Sequence, residues 1–378
     1  MTIFNLVNNP NLLARLLADS KNQPEIFRPT EFWRWSSQRI ARELKKTGLE
    51  DFRRNSTVSK GFADAILKDS AVVTGSGNKE FSLKHELYRA FHRSSIARIA
   101  KSTVLREFDK QLRLLKSYRN YYLSDKLGNW FQEFSGKHDL PYTLLGNPDN
   151  TIRLNGELIG RNYLHAFMAI DNWSKKIEFE QVRSVLEIGG GFGCFAHSLL
   201  HLYPNIRSYV YVDIPPMLYI GTQYLKAFFG DRVLDYIDHC QKKKKGEHKE
   251  AKLVTAVPPW ELENVVETVD LVVNNNSFQE MNIDVIDFYF SEIVRLINGV
   301  DDPHLCLTMY DSLNDKLLPF QVIIEEYEKL SPREIEVHHV NEPFSKYNQD
   351  DVVVDLDKTS YPLNYYIVNL GKENTTSV

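Results

Sequence analysis

The chain has 378 residues, 43% hydrophobic and 25% charged, with a formal net charge of −4. That is an ordinary globular composition, and no apolar run approaches the roughly 20 residues that cross a bilayer, so a membrane-spanning chain is excluded. The start, MTIFNLVNNPNLLARLLADS, has no basic lead, long apolar stretch or small-residue cleavage site, so no secretory signal is expected and the cytoplasm is the default compartment.

At roughly 100–200 residues per domain, two units are expected. Charge is divided unevenly between them: residues 1–150 hold 25 Lys and Arg against 16 Asp and Glu, and the remainder hold 21 against 34. A basic first half suits an anionic partner, such as a nucleotide-linked sugar, a lipid headgroup or RNA. It equally suits amphipathic helices with solvated Lys and Arg. Cys194, Cys240 and Cys306 lie far apart, in no metal-ligand or Cys-x-x-Cys spacing, and are read as packing residues.

In chain order, PTEFWRWSSQRIARELKK over Pro29–Lys46 places Phe32, Trp33, Ile40, Ala41 and Leu44 on one helical face. A second helical run is expected over Leu83–Leu127. The Gly, Pro and Asn turns of LPYTLLGNPDNTIRLNGELIG mark a boundary near residues 140–160, giving a mostly helical unit over 1–150 and a second unit over 151–378. After the helix GRNYLHAFMAIDNW, six apolar strands alternate with helical stretches: SVLEIG, SYVYVDI, AKLVTAV, VDLVVNNN, HLCLTMYD and NYYIVNLG. Such alternation predicts a doubly wound α/β fold with a mainly parallel sheet. The last two strands are expected to pair antiparallel and close one edge. The lysine-rich tract QKKKKGEHKEAK is read as a solvated loop.

The first strand runs into a glycine turn, E-x-G-x-G-x-G, with Glu187 before Gly189, Gly191 and Gly193. Glycines there permit positive φ and close approach of a ligand to the backbone, but the same stretch also satisfies a dinucleotide pattern. Glu187 separates the two. A pyrophosphate at the helix N-terminus would be repelled by a neighbouring carboxylate, whereas S-adenosylmethionine brings an ammonium and a sulfonium and no phosphate. Asp213, at the end of the next strand and about 20 residues on, is placed to accept both ribose hydroxyls. Ile214, Pro215 and Leu218 would flank the adenine, with Ala256 and Val257 near its edge.

VDLVVNNNSFQEMN ends an apolar strand in three asparagines, which puts Asn274 and Asn275 beside the cofactor and its transferable methyl. Glu280 is the first candidate for a general base, with Gln279, Asn275 and Asn276 positioning an acceptor; capping of the next helix is the alternative use of Glu280. His165, on the helix before the glycine turn, is the second candidate. Asp311 and Glu280 form a single acid pair, too few ligands to define a divalent metal site, and no metal is assigned.

The segments VLEIGGGFG, VYVDIPPMLYIGTQYL and DLVVNNNSFQEM together resemble the bacterial sugar O-methyltransferases, a branch of the class I S-adenosylmethionine-dependent methyltransferases. FWRWSSQRIARELKKTGLEDFRR and GNPDNTIRLNGELIGRNYL extend the resemblance to most of the chain. It implies a seven-stranded sheet with an antiparallel last strand, a helical N-terminal extension, and a sugar hydroxyl as acceptor. The acceptor would be a free sugar, a nucleotide sugar or a polysaccharide, with no nucleic acid. Glu187, Gly189, Gly191 and Gly193 would form the cofactor loop and Asp213 would bind the ribose. Where related small-molecule enzymes carry His-Asp-Trp, this chain has Gln279-Glu280-Met281, without the histidine base. An RNA or protein methyltransferase, an NAD-dependent oxidoreductase and a non-catalytic cofactor sensor stay open as alternatives. The aromatic N-terminal helices, with Phe32, Trp33, Trp35 and Phe91, would form a homodimer face or an acceptor lid.

Overall fold

The computed structural model describes residues 4–29, 31–55, 57–62, 125–148, 151–154, 156–245, 252–310, 317–331, 333–340 and 363–371. Nearly all of the helical run expected over 83–127, with Phe91, lies outside these residues, and so does Asp311.

Helices α1 (Pro10–Lys21), α2 (Glu31–Thr47) and α3 (Asp125–Lys137) precede a hairpin of β1 (Thr151–Leu154) and β2 (Glu157–Gly160), and α4 (Arg161–Trp173) follows it. Asn9 starts α1 by accepting the Leu12 amide at 3.1 Å, and Pro10 occupies the first helical position. The sheet unit then runs β3 (Ser184–Ile188), α5 (Cys194–Leu202), β4 (Ser208–Val212), α6 (Pro215–Phe229), β5 (Val233–Leu234), α7 (Tyr236–Lys245) and β6 (Val254–Val257). It continues through β7 (Leu271–Asn275), α8 (Ile283–Leu296), β8 (His304–Tyr310), α9 (Phe320–Leu330), β9 (Glu336–Val340) and β10 (Leu363–Asn369).

Eight strands form one sheet in the order β5-β6-β4-β3-β7-β8-β10-β9. From β5 to β8 all neighbours are parallel; β10 runs antiparallel to both β8 and β9. This corrects the expected seven strands. The added β5 is two residues long, too short to carry a pattern. β9, EVHHV, is a half-exposed edge strand whose charged and histidine residues hide its period. β10 pairs with β8 from Leu363↔Tyr310 to Asn369↔His304 as expected, but β9 lies outside it, so β10 does not close the edge.

Strand alternation sends Val185, Tyr209, Tyr211 and Val273 to one face, and Leu186, Ile188, Val210 and Val272 to the other. Helices α8 and α9 cover the second face. The first is covered by α4, α5 and α6, and its core also contains Leu12, Leu13, Leu16, Ile40, Leu44, Phe52 and Val58. The described N-terminal pieces therefore share one core with the sheet. Glu187, two residues after Val185, points to that same face, which is why an acid at the end of a buried strand meets tyrosines rather than water.

Candidate functional site

A cavity of about 340 Å³ opens at the carboxyl ends of β3, β4 and β7, within the usual range of roughly 300–1,000 Å³ for small-molecule sites. Gly189, Gly191 and Gly193 have φ of 75°, 65° and 85°, which side chains disfavour. A side chain at Gly189 would collide with Ser277, and one at Gly190 with Tyr211. Two groups from β4 brace the loop: the Gly191 amide donates to Asp213 Oδ2 at 2.7 Å, and the Tyr211 hydroxyl donates to the Gly191 carbonyl at 2.7 Å.

Glu187 lines the cavity yet is only 1% exposed. Its Oε2 accepts the Tyr209 hydroxyl at 2.8 Å, and Asn275 donates a second hydrogen bond. Burial outweighs both and pushes its pKa up to about 8. Asp213 Oδ1 accepts the Ile214 amide at 2.7 Å, and burial raises its pKa to about 7. Glu280, also on the cavity, is pushed up to about 7 by burial, opposed by the indole of Trp33, which donates to Oε2 at 2.7 Å. Three carboxyl groups thus share one cavity and resist ionising without a cation.

His165 lines the same cavity, its Nε2 accepting Arg161 Nε at 3.3 Å. Burial first, then the Arg161 charge, holds its pKa well below the usual imidazole value. Asn275 and Ile214 are cavity residues too.

Other expected contacts fall elsewhere. Asn274 does not line the cavity: its Nδ2 donates to the Ile188 carbonyl at 2.9 Å and to Ser277 Oγ at 2.6 Å, and its Oδ1 accepts the Ser277 and Phe278 amides at 3.2 and 3.0 Å. It ties the β7 loop to β3, and every polar atom is used in doing so. Gln279 is 1% exposed and turned away from the cavity, in the short turn whose carbonyl accepts the Leu318 amide. Gly193 caps α5 behind the loop, against Leu225. Met217 and Pro259 line the cavity instead of Leu218, Ala256 and Val257.

Sequence reasoning named Trp33 only in an acceptor lid or a dimer face, and missed the other residues among the first 62 that contribute to the walls. Trp33, Gly61 and Phe62 line the cavity beside Arg161 and Asn162, and the Asn162 amide donates to the Phe62 carbonyl at 2.7 Å. It also missed two buried oxygens without hydrogen-bond partners, Asn162 Oδ1 and Asn276 Oδ1, both on cavity residues. Asn276 has φ of 65°, a costly conformation for a non-glycine residue. Orphaned acceptors and protonation-prone acids call for a ligand rich in donors and positive charge. S-adenosylmethionine, with its ammonium, sulfonium and ribose hydroxyls, fits them. Among the described residues no group of three or more His, Cys, Asp or Glu is placed to hold a metal ion, and no helix is long and apolar enough to cross a membrane.

No curated protein matches the sequence. Among solved structures, the chain is similar to the pyocyanin biosynthetic protein PhzM at 13% identity and a TM-score of 0.36, over 56% of this chain and 58% of that one. It is similar to Haemonchus contortus phosphoethanolamine N-methyltransferase 2, with S-adenosylhomocysteine bound, at 14% identity and TM-score 0.36, over 54% and 52%. For human N-acetylserotonin methyltransferase with S-adenosylmethionine the values are 9%, 0.32, 56% and 54%. The chain thus spans a little over half the length of these proteins. Residues 162–238, from α4 through the glycine loop and Asp213 to α7, match the family model of an O-methyltransferase domain. Over those residues the chain is similar to an O-methyltransferase domain.

Proposed function

We propose that this protein transfers a methyl group from S-adenosylmethionine to a sugar hydroxyl, in the synthesis of a nucleotide sugar or a cell-surface polysaccharide. One observation carries the reading: Glu187 at the end of β3, Asp213 just past β4 and Glu280 in the turn after β7 converge on one cavity. Glu187 would receive the cofactor's ammonium, the glycine-loop amides its carboxylate, and Asp213 both ribose hydroxyls, beside Ile214. The sugar acceptor is supported by the resemblance of the DIPP and SFQEM segments and by an acceptor side that offers the Glu280 carboxylate and the Asn275 and Asn276 amides. The N-terminal unit, residues 1–150, would serve as the acceptor lid, with α2 as its edge.

When bound, S-adenosylmethionine supplies a methyl group already activated on a sulfonium sulfur, which keeps the bonding pair as the methyl leaves. What remains for the protein is alignment and proton removal. Glu280 would take the acceptor hydroxyl proton as the new C–O bond forms, a contribution of roughly 10²–10⁴-fold. A carboxyl group with a pKa of about 7 is well matched to that task at neutral pH. Asn275 and Asn276 would orient the acceptor, and His165, neutral and tied to Arg161, would border it.

Calorimetric titration with S-adenosylhomocysteine, repeated on Glu187→Ala and Asp213→Ala, tests the cofactor assignment; binding by the parent and its loss in both variants is expected. Transfer of radiolabelled methyl to a panel of nucleotide sugars then tests the acceptor. Transfer to RNA or protein substrates alone would overturn the sugar reading.

A further inference from the structure

We propose that Trp33 is a positioning residue for Glu280: the indole N–H of α2 fixes one oxygen of the carboxylate and so completes the acceptor side of the site. The inference rests on the reading of Glu280 as the base. Its geometric ground is the 2.7 Å bond from Trp33 Nε1 to Glu280 Oε2, which joins residues 247 positions apart across the cavity both of them line. That length is at the short end for a charge-assisted N–H···O bond.

The local backbone cannot do this alone. Glu280 closes a short turn, Phe278–Glu280, whose position is set by Asn274 and by the bond from the Glu280 amide to the Ser277 carbonyl at 3.1 Å. Those contacts place the Cα of Glu280 and leave its side-chain torsions to be set by what meets the carboxylate. Trp33 meets it from another part of the chain. Indole is a donor only and stays neutral, so it favours the ionised carboxylate without supplying a full charge. An Arg or Lys at this position would hold the carboxylate as firmly and depress its basicity much further.

The other guanidinium, imidazole and carboxyl groups on the cavity are Arg28, Arg161, His165, Glu187 and Asp213, beside the thiol of Cys194 and the phenols of Tyr289 and Tyr365, and the Asp213 and Glu280 charges repel each other. On the α8 side the neighbours are Val285, Phe288 and Tyr289. Removing the indole N–H takes away the hydrogen bond that opposes burial at Glu280, so its proton affinity rises.

The chain has five tryptophans, so ¹⁵N-indole labelling gives five side-chain signals, and Trp33→Phe identifies the one that matters. In the full chain, the Trp33 signal is expected to shift with pH across the neutral range, where the coupled acids of the cavity titrate, and to lose most of that shift in Glu280→Gln. With radiolabelled S-adenosylmethionine and an accepting nucleotide sugar, Trp33→Phe is expected to move the acidic limb of kcat up by about one pH unit, leaving the activity tenfold lower on that limb. Far-UV circular dichroism and a cooperative melt confirm that both variants fold. A Trp33 signal insensitive to pH, or one that titrates unchanged in Glu280→Gln, overturns the link between the two side chains. A Trp33 signal that follows Glu280, together with undiminished methyl transfer by Glu280→Gln, instead overturns the base assignment and the positioning role with it.

Discussion

Glu187 illustrates both what a single residue reveals in sequence and what it conceals. An acid in front of a glycine turn is visible in the sequence and argues for a cationic ligand. Its burial against Tyr209 and its pKa of about 8 come from strand alternation, which only the assembled sheet fixes. Binding an ammonium should drive off the proton that Glu187 carries at neutral pH. Affinity for S-adenosylhomocysteine is thus expected to rise by at least about tenfold from pH 6 to 8, with proton release detectable by calorimetry in buffers of different ionisation enthalpy, and both effects should shrink in Glu187→Gln. The same shift acts on stability with the opposite sense for the free protein. Because the folded pKa lies above the ordinary carboxyl value, stability is lost as pH rises from that value through 8. Glu187→Gln should therefore melt higher than the parent at pH 8, with the difference vanishing near pH 4. Gly190→Ala tests the loop itself: the added methyl meets the buried Tyr211 ring and Glu187, so loss of S-adenosylhomocysteine binding together with a lower melting temperature is expected. Asn274 was legible only as a polar residue at a strand end. Nothing in its spacing distinguishes an amide that faces a ligand from one that ties two loops together.

Among the elements, the six strands read from sequence are all present because each is a largely apolar run between turn and helical segments, most of it buried on both faces. β5 and β9 escaped for opposite reasons, one too short and the other half exposed. The hairpin of β1 and β2 falls where a boundary was expected from its Gly and Asn residues. The docking of α1 had no sequence signal beyond its own amphipathic face, since a helix pattern does not say what it packs on. In the structure α1 lies on α6 and α7, with Leu12, Leu13 and Leu16 buried. Leu16→Ala is expected to destabilise the whole protein by about 2–5 kcal/mol, measured by urea denaturation. If the helix were only an appended lid, the main transition would not move.

For the molecule as a whole, the partition into a helical unit and a sheet unit describes composition better than packing. The basic and acidic halves are evident from residue counts, yet the described N-terminal pieces and the first face of the sheet are one hydrophobic cluster. Thermal unfolding should accordingly follow one transition by both tryptophan fluorescence and far-UV circular dichroism, and saturating S-adenosylhomocysteine should raise it as a unit.

The long-range bonds of Trp33 to Glu280 and of the Asn9 amide to the Tyr219 hydroxyl, 247 and 210 residues apart, bear on the order of assembly. During synthesis the first helices leave the ribosome well before the strands they cover. Their apolar faces must wait until α6 and the β7 turn have emerged, and closing so long a loop is entropically slow. The nascent chain is thus a natural client for chaperones that shield hydrophobic helices, and the ability to bind the methyl donor is the last property it acquires.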